Sequence, residues 1–437
     1  MTFRELRAGY VPILLSFAAP QLILQTDLVM VSALGAEATA AYVVPLRVAL
    51  LDAVLMMALG PVASVMVVAA KREGKTGQAV YGALAVAAVL GIAMALAGFV
   101  FYPKIAYWVT GDTGVARLAA QALVWYALAA PFRFLAAVAV MSLHALGGGA
   151  VVLRWKMVEV GLNALLDTLL IFSLGIGFAG AYMATFGVLV GGCLWSLILL
   201  TSRLGVSPCL PGWDWLRGFL RQCGWEAKRV FSTQLFALTV MVLFATSWIS
   251  PLNLDRLAAY SAGGALGLLL FMPTLALFRF LAFRLSGFEQ AVMRETLFRL
   301  ARAGLPWLLL LALILLAGGK ALGERLYGLS GAWWGAIVML IAFALPIRFL
   351  TALLRGALHA GGGFSSVALV DIATLWGIGL PLVLSGLYLG NPYLAFSYVL
   401  LPELCALPLL WRRLGPRQPA EKHPPISIHC NYKKEHS

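Results

Sequence analysis

The chain has 437 residues, of which 62% are hydrophobic and only 11% charged, and its mean hydropathy is +0.92. Soluble domains carry about 25% charged residues, so this composition excludes a protein that folds in water alone. The net charge of +14 does not indicate nucleic-acid binding, because the basic residues alternate with apolar segments along the chain.

Apolar runs of about 20 residues, the length that crosses a hydrocarbon core of ~30 Å, recur along the whole chain. They predict an all-α polytopic membrane protein with about twelve transmembrane helices. We interpret the first run as a retained helix, because it continues to Leu34 without a cleavage site. The predicted spans are 11–33, 42–69, 80–101, 118–143, 157–174, 178–201, 230–250, 257–283, 303–319, 333–357, 366–387 and 393–411.

The lysines and arginines predict the orientation. If the N-terminus is cytoplasmic, most of them fall in cytoplasmic segments, which is the usual bias of membrane proteins. We therefore predict a multi-pass protein of the bacterial inner (cytoplasmic) membrane with both termini in the cytoplasm, in contact with membrane lipid. The basic residues that would fall outside are Lys104, Arg117, Arg256, Lys320 and Arg325.

The two halves of the chain repeat each other. PFRFLAAVAVMSLHALGG (131–148) matches PIRFLTALLRGALHAGGG (346–363), including proline, arginine and histidine at fixed positions. An even number of spans in each half gives a parallel repeat, and transporters built from such repeats bind substrate near mid-membrane. We predict two pseudo-symmetric six-helix lobes. The predicted division is an N-lobe (1–202), a cytoplasmic linker (203–229), a C-lobe (230–412) and a disordered cytoplasmic tail (413–437).

Two aspartates lie inside predicted spans, where a carboxylate is costly and is usually kept for a proton, an ion or a structural partner. Asp27 and Asp167 lie near the outer ends of the first and fifth spans, and Thr185 near the outer start of the sixth. At ~1.5 Å per residue all three lie roughly 10 Å below the outer surface. Asn163 faces the same side as Asp167, one turn deeper. We predict a proton- or cation-binding site from these four residues.

The chemistry of this site has three interpretations. Two carboxylates in a dry pocket are not both ionised, so one is expected to hold a proton. With water or carbonyl oxygens present, the same cluster would bind Na⁺, and no other metal site is predicted. In the structural alternative, the aspartates only cap backbone groups or accept bonds from tryptophan and tyrosine. Pro12 and Pro20 predict a kink in the first helix, although proline is also common in transmembrane helices.

Two segments carry a family resemblance. Pro12, Asp27 and LGAEATAA (34–41) form the opening, and LNALLDTLLIFSLGIGFAGAYMAT (162–185) covers the fifth and sixth predicted spans. They resemble the multidrug and toxic compound extrusion (MATE) family, within the wider flippase and exporter superfamily, over about residues 5–412. The resemblance implies an exporter without a cofactor, driven by an H⁺ or Na⁺ gradient. It also implies a cation site at Asp27, Asn163, Asp167 and Thr185, whose protonation bends the first helix.

The second half departs from this pattern. Many members of the family have a glutamate in the seventh helix for Na⁺ coupling, whereas residues 230–250 contain no acid. The repeat aligns Asp167 with Leu382, so the acidic site has no counterpart there. We therefore expect H⁺ rather than Na⁺ coupling.

Arginines also lie inside predicted spans. Arginine keeps its charge, and its planar fork matches carboxylate and phosphate groups. They predict a cleft for an anionic substrate, such as a carboxylate-rich metabolite or a siderophore-like compound. In the structural alternative, Arg47 pairs with Asp52, and the three arginines that follow a proline by two residues, Arg47, Arg133 and Arg348, bind carbonyls freed by a kink. The four arginines are Arg47, Arg133, Arg279 and Arg348.

The predicted function is secondary active export of a small organic substrate by cation antiport, with alternating access between the lobes. Multidrug and xenobiotic efflux is the activity usual for the family. The alternative is a flippase for lipid-linked oligosaccharide or peptidoglycan precursors, whose cavities are also cationic. An enzyme is not expected, because the sequence has no HExxH, GxSxG or GxxxxGK[ST] motif. We expect a monomer that binds no nucleic acid.

Overall fold

In the computed structural model, helices account for nearly all of the described residues, 3–111, 113–204, 209–251 and 253–414, and these contain no strand. The all-α prediction is confirmed. The α-helices are α1 (Phe3–Ser32), α2 (Ala36–Arg72), α3 (Thr76–Thr110), α4 (Thr113–Leu128), α5 (Ala130–Ala145), α6 (Gly149–Asp167), α7 (Phe178–Leu204), α8 (Trp213–Ala245), α9 (Leu254–Arg284), α10 (Gln290–Leu322), α11 (Ala332–Ala360), α12 (Phe364–Thr374), α13 (Leu380–Tyr388), α14 (Pro392–Phe396) and α15 (Leu401–Arg413).

Each of the twelve predicted spans coincides with a helical segment of the described chain. Four spans are interrupted rather than continuous, the twelfth by a 3₁₀ turn (Ser397–Val399) between α14 and α15. The fourth bends by 48° between α4 and α5, next to Pro131, because proline removes a helix hydrogen bond. π-helical turns follow α6 (Thr168–Ser173) and α12 (Leu375–Gly379). By length and composition, ten described helices could cross a membrane, or eleven if the bent pair counts as one span.

The described chain divides into two compact units, one up to Gly224 and one from Trp225 onward. The N-terminal unit packs small residues and aromatics around Ala119, Ala122 and Leu123. The core of the C-terminal unit is built mainly on α11, whose residues between Trp334 and Leu345 are largely buried. Each unit thus has its own hydrophobic core, as a compact domain requires.

The predicted linker, 203–229, is largely helical. α8 begins at Trp213 and continues unbroken to Ala245, and the division between units falls inside this helix. The hydropathy of the sequence placed the helix start at residue 230, because polar residues of the first turns lower the apolar average. Their buried neighbours recur at helical spacing, at Phe219, Cys223 and Val230. Residues 205–208 of the linker and 415–437 of the tail lie outside the described residues.

Candidate functional site

Three helices of the N-terminal unit position the predicted acidic site. Asp27 lies on α1, Asn163 and Asp167 on the last turns of α6, and Thr185 on α7. The structure brings all four side chains together. Asp167 is the last α-helical residue before the π-helical turn Thr168–Ser173, and π-turns of this kind occur frequently at functional sites.

The Asn163 amide is the centre of this site. Its Nδ2 donates to Oδ1 of Asp27 at 2.6 Å and to Oδ2 of Asp167 at 2.7 Å. The Thr185 hydroxyl lies 3.3 Å from Oδ2 of Asp27 and 3.3 Å from Oδ1 of Asn163. The same Nδ2 atom thus contacts both carboxyl groups, which places the two acids next to each other. Carboxylates only accept hydrogen bonds, so a bond between the two needs one proton.

The site is buried and acidic. Asp27, Asn163 and Asp167 are 6%, 1% and 0% exposed. Among the described residues, no lysine, arginine or histidine forms an ion pair with either aspartate. Oδ1 of Asp167 is buried without a hydrogen-bond partner in the same part of the chain. The cluster therefore offers carboxyl oxygens that no described basic residue pairs with, which suits a proton or a small cation.

Two tyrosines that the sequence analysis did not include lie beside this site. The Tyr42 ring lies 5.9 Å from that of Tyr182, and the Tyr42 hydroxyl donates to the Leu24 carbonyl, three residues before Asp27 on α1, at 3.4 Å. Their spacing in the sequence gave no signal, because only the packing of α2 against α1 brings Tyr42 to the aspartate. Pro12 and Pro20 both lie within α1, which is continuous through them.

The predicted substrate arginines differ in their surroundings. Arg133 forms an ion pair with buried Asp52, donates to the Tyr126 carbonyl at 2.7 Å, and lies over the Tyr126 ring. Arg279 is 3% exposed and donates to Glu226 at 2.7 Å. The Arg47 side chain lies outside the described residues. For Arg133 and Arg279, these contacts favour the structural alternative.

Arg348 belongs to a larger cluster in the C-terminal unit, which we call the arginine–carboxylate network. The network alternates in charge and joins α8, α9, α11, α12 and α15, so it connects five helices of one unit. Its members, in order of contact, are Arg279, Glu226, Arg229, Asp371, Arg355, Glu403 and Arg348.

The centre of this network is tightly hydrogen-bonded. Arg229 binds Glu226 with two donors, at 2.7 and 2.9 Å, and lies 3.4 Å from Asp371. Arg355 donates to Asp371 at 2.8 and 3.0 Å and to Glu403 at 2.9 Å. Forked arginine–carboxylate contacts of this kind are among the strongest side-chain hydrogen bonds. The network therefore fixes the relative positions of its helices.

The sequence analysis missed the acids of the network. Glu226 was assigned to the linker, although it lies on the buried face of α8 with Cys223 and Val230. Asp371 lies within the eleventh predicted span and was not assigned a role from the sequence. The available signal was the helical spacing of Glu226 with its apolar neighbours, since an acid on an apolar stripe needs a partner.

One protein family matches part of the chain in sequence. Residues 12–169 match the model of the MatE family. The matched segment includes Asp27, Asn163 and Asp167 and ends before Thr185. No curated protein matches the chain closely enough to count as a relative.

Solved structures resemble the chain over nearly its whole length. A MATE point mutant has a TM-score of 0.81 at 14% identity, covering 93% of this chain and 95% of that one. A Vibrio cholerae MATE transporter in a bent form has a TM-score of 0.80 at 18% identity, with 94% and 95% covered.

A MOP-superfamily transporter from Pyrococcus furiosus, described as having a binding pocket of reversed polarity, has a TM-score of 0.78 at 14% identity, with 93% and 94% covered. The proteins that the chain resembles are transporters, which agrees with the prediction that it is not an enzyme. The resemblance to the MATE family is thus confirmed: residues 12–169 match its model, and the chain has the fold of the MATE transporters.

Proposed function

We propose that this protein is a proton-driven antiporter that exports a small organic substrate across the bacterial inner membrane, with both termini in the cytoplasm. The MATE fold and the MatE match support a membrane exporter. The antiport mechanism rests on the acidic site of the N-terminal unit, and the orientation rests on the positive-inside pattern.

One observation carries the proposal: a single amide, Asn163, donates to both Asp27 and Asp167. One amide bridges the two carboxyl groups in a buried site, and no described basic residue pairs with them, which supports a proton shared between them. Loss of that proton would leave two adjacent negative charges, which a low-dielectric site disfavours. The resulting repulsion would act between α1 and α6, the helices that carry the two aspartates.

The arrangement favours H⁺ over Na⁺. The Asn163 Nδ2 group lies between the carboxyl groups and satisfies one oxygen of each. A bound Na⁺ needs those same oxygens as ligands, and an N–H group pointing at them would oppose it. A proton needs no such rearrangement, because a carboxylic acid can donate to the neighbouring carboxylate.

Proton release would then drive a conformational change in α1. Asp27 and both prolines lie on this helix, and proline lowers the number of hydrogen bonds that resist bending. In alternating access, substrate and proton bind in opposite states, so that proton entry is linked to substrate exit.

The test measures proton binding directly, without knowledge of the substrate. Infrared difference spectra of the protein in lipid nanodiscs, recorded between pH 5 and 9, should show a carboxylic-acid band that disappears as pH rises. Asp27→Asn and Asp167→Asn should remove it, and Asp214→Asn, at an exposed carboxylate in the first turn of α8, should not.

A second arm tests coupling in proteoliposomes with an imposed pH gradient, using ethidium as a cationic probe and fluorescein as an anionic probe. Efflux that requires the gradient and is lost in Asp27→Asn supports the antiporter. The proposal is overturned if the titrating band survives in both aspartate variants, or if transport follows a Na⁺ gradient and ignores the pH gradient.

A further inference from the structure

The arginine–carboxylate network contains an excess of positive charge. It holds four guanidinium groups against three carboxylates, which leaves one positive charge. His359 lies 3.7 Å from Glu226 and is not counted, because it is charged only when protonated. A buried charge without a partner is strongly disfavoured in a membrane protein. A negatively charged ligand would balance this excess.

The excess is located at one end of the network. Arg229, Arg279 and Arg355 each donate short hydrogen bonds to carboxylates. Arg348, in contrast, approaches Glu403 only to 3.7 Å, beyond hydrogen-bonding distance. Thr351 at 2.6 Å and Arg355 at 2.9 Å both bind Oε2 of Glu403, whereas Arg348 faces the other oxygen, Oε1. Arg348 is therefore the terminal cation that the carboxylates of the network do not satisfy.

The donors of Arg348 are open. No side-chain hydrogen bond joins its guanidinium to any described residue, and its Nε is buried without a partner. The guanidinium group instead lies 4.0 Å from the centre of the Phe271 ring. Contact with an aromatic face orients a guanidinium group and leaves its N–H groups available in the ring-parallel plane.

Arg348 is also accessible and suitably deep. Its side chain keeps 30% of its surface exposed, against 3% for Arg279 and 9% for Arg133. It lies near the middle of α11, a helix long and apolar enough to cross the membrane. Substrates of transporters with repeated halves bind near this depth.

From these observations we propose that Arg348, held by Phe271, binds the carboxylate or phosphate group of an anionic substrate. The inference deepens the proposed export function and rests on it. It separates Arg348 from Arg133 and Arg279, whose donors serve internal carboxylates.

The probe for this site is fluorescein, a dye with a carboxylate, and binding is followed by fluorescence polarisation of the protein in phosphatidylcholine nanodiscs. We expect saturable binding that benzoate or inorganic phosphate displaces and ethidium does not. Arg348→Gln should weaken it about tenfold or more, the effect of losing a charged hydrogen bond. Arg348→Lys should bind fluorescein with an affinity between those of wild type and Arg348→Gln. Lysine keeps the positive charge but lacks the planar guanidinium group that can form two parallel hydrogen bonds.

Arg299→Gln is the matched control, since Arg299 is an exposed arginine of the same unit, paired only with Glu295. If Arg348→Gln unfolds on purification, Phe271→Leu provides the second test, since it leaves every charge in place and should still weaken binding. Equal affinity in wild type and these variants would overturn the proposal. So would a requirement for phosphatidylglycerol, because a lipid headgroup would then occupy the site.

The same measurement in Asp27→Asn separates this inference from the proposed coupling. Anion binding that persists in Asp27→Asn, together with loss of gradient-driven transport, supports both proposals. Anion binding at Arg348 in a protein that ignores the pH gradient would refute the coupling alone. Gradient-driven transport of ethidium without any anion binding would refute the Arg348 site alone.

Discussion

The acidic site of the N-terminal unit and the arginine–carboxylate network of the C-terminal unit are opposite solutions to buried charge. The first holds two carboxyl groups with an amide and a hydroxyl, and no described basic residue pairs with them. The second pairs nearly every charge with one of opposite sign. A site that must bind and release a cation cannot contain its own counter-charge, whereas a network that holds helices together requires one.

The sequence repeat allows the charged residues of the two units to be compared position by position. Lys156 and Asp371 occupy matching positions of the two halves, yet Lys156 pairs with Glu159 at 2.5 Å whereas Asp371 pairs with arginines. Arg133 and Arg348 are likewise repeat mates, and only Arg133 has a carboxylate in full contact. The two halves thus share a sequence repeat and differ in how closely their matching charged residues are paired with residues of opposite sign.

The largest expected effect comes from breaking the network at Glu226. Glu226→Gln would leave Arg229 and Arg279 without their shared carboxylate in a fully buried position. Removal of one partner from a buried ion pair costs about 3–5 kcal/mol, so we expect a large fall in thermal stability in detergent. Asp214→Asn, on the exposed first turn of the same helix, should leave the melting temperature unchanged. A melting temperature equal to wild type in Glu226→Gln would show that the network does not hold the unit together.

A second prediction tests whether Arg133 is structural. Arg133→Met leaves Asp52, which is 0% exposed, without its partner and should destabilise the protein by about 3–5 kcal/mol. The double variant Asp52→Leu/Arg133→Met should recover most of that loss, because apolar replacement of a whole buried pair is often neutral. Chemical unfolding of the two single variants and the double variant measures the coupling. Additive losses would contradict the pairing.

Arg133 also provides the comparison with its repeat mate. If Arg133 serves Asp52 alone, the double variant should bind fluorescein as wild type does. A loss of anion binding comparable to that of Arg348→Gln would instead support the predicted role of Arg133 in binding an anionic substrate.

The third prediction concerns the centre of the acidic site. Asn163→Leu removes the donor that satisfies Asp27 and Asp167 and should cost about 1–3 kcal/mol, the penalty for leaving buried polar groups unsatisfied. Without the amide, the carboxyl groups should retain their proton to higher pH, and the infrared carboxylic-acid band should persist there. Asn253→Leu, at an N-cap of α9 outside the site, controls for the loss of an asparagine. An unchanged band position and pH dependence would contradict the bridging role.

The contrast between the two units was only partly predictable from sequence. The rise of a helix is fixed, so counting residues from the predicted span ends placed Asp27, Asp167 and Thr185 at one depth, where the structure brings them together. No comparable rule predicts which side chains pair between different helices. The structural alternative paired Asp52 with Arg47, its near neighbour in sequence, whose side chain lies outside the described residues. The structure pairs Asp52 with Arg133 of α5, because tertiary packing brings α2 and α5 together.

The network illustrates the same limit. Glu226 was counted as part of a cytoplasmic linker, because hydropathy averages fall where polar and apolar residues alternate around a helix. Only the direction of each side chain in the folded helix separates the buried Glu226 from its exposed neighbours. Hydrophobic runs thus locate spans well, and they miss amphipathic extensions of the same helices.

The smallest expected effect comes from Thr185. Its hydroxyl contacts Asp27 and Asn163 at 3.3 Å, longer than the Asn163 bonds, so Thr185→Val should cost only about 0.5–1.5 kcal/mol. Because valine keeps the shape and the site keeps both carboxyl groups, gradient-driven ethidium efflux should fall by a few-fold at most, on the order of the loss of one neutral hydrogen bond. If Thr185→Val abolished transport as completely as Asp27→Asn, the hydroxyl would be acting as a ligand of a bound cation. The acidic site would then be a Na⁺ site, and its contrast with the arginine–carboxylate network would concern metal binding rather than proton transfer.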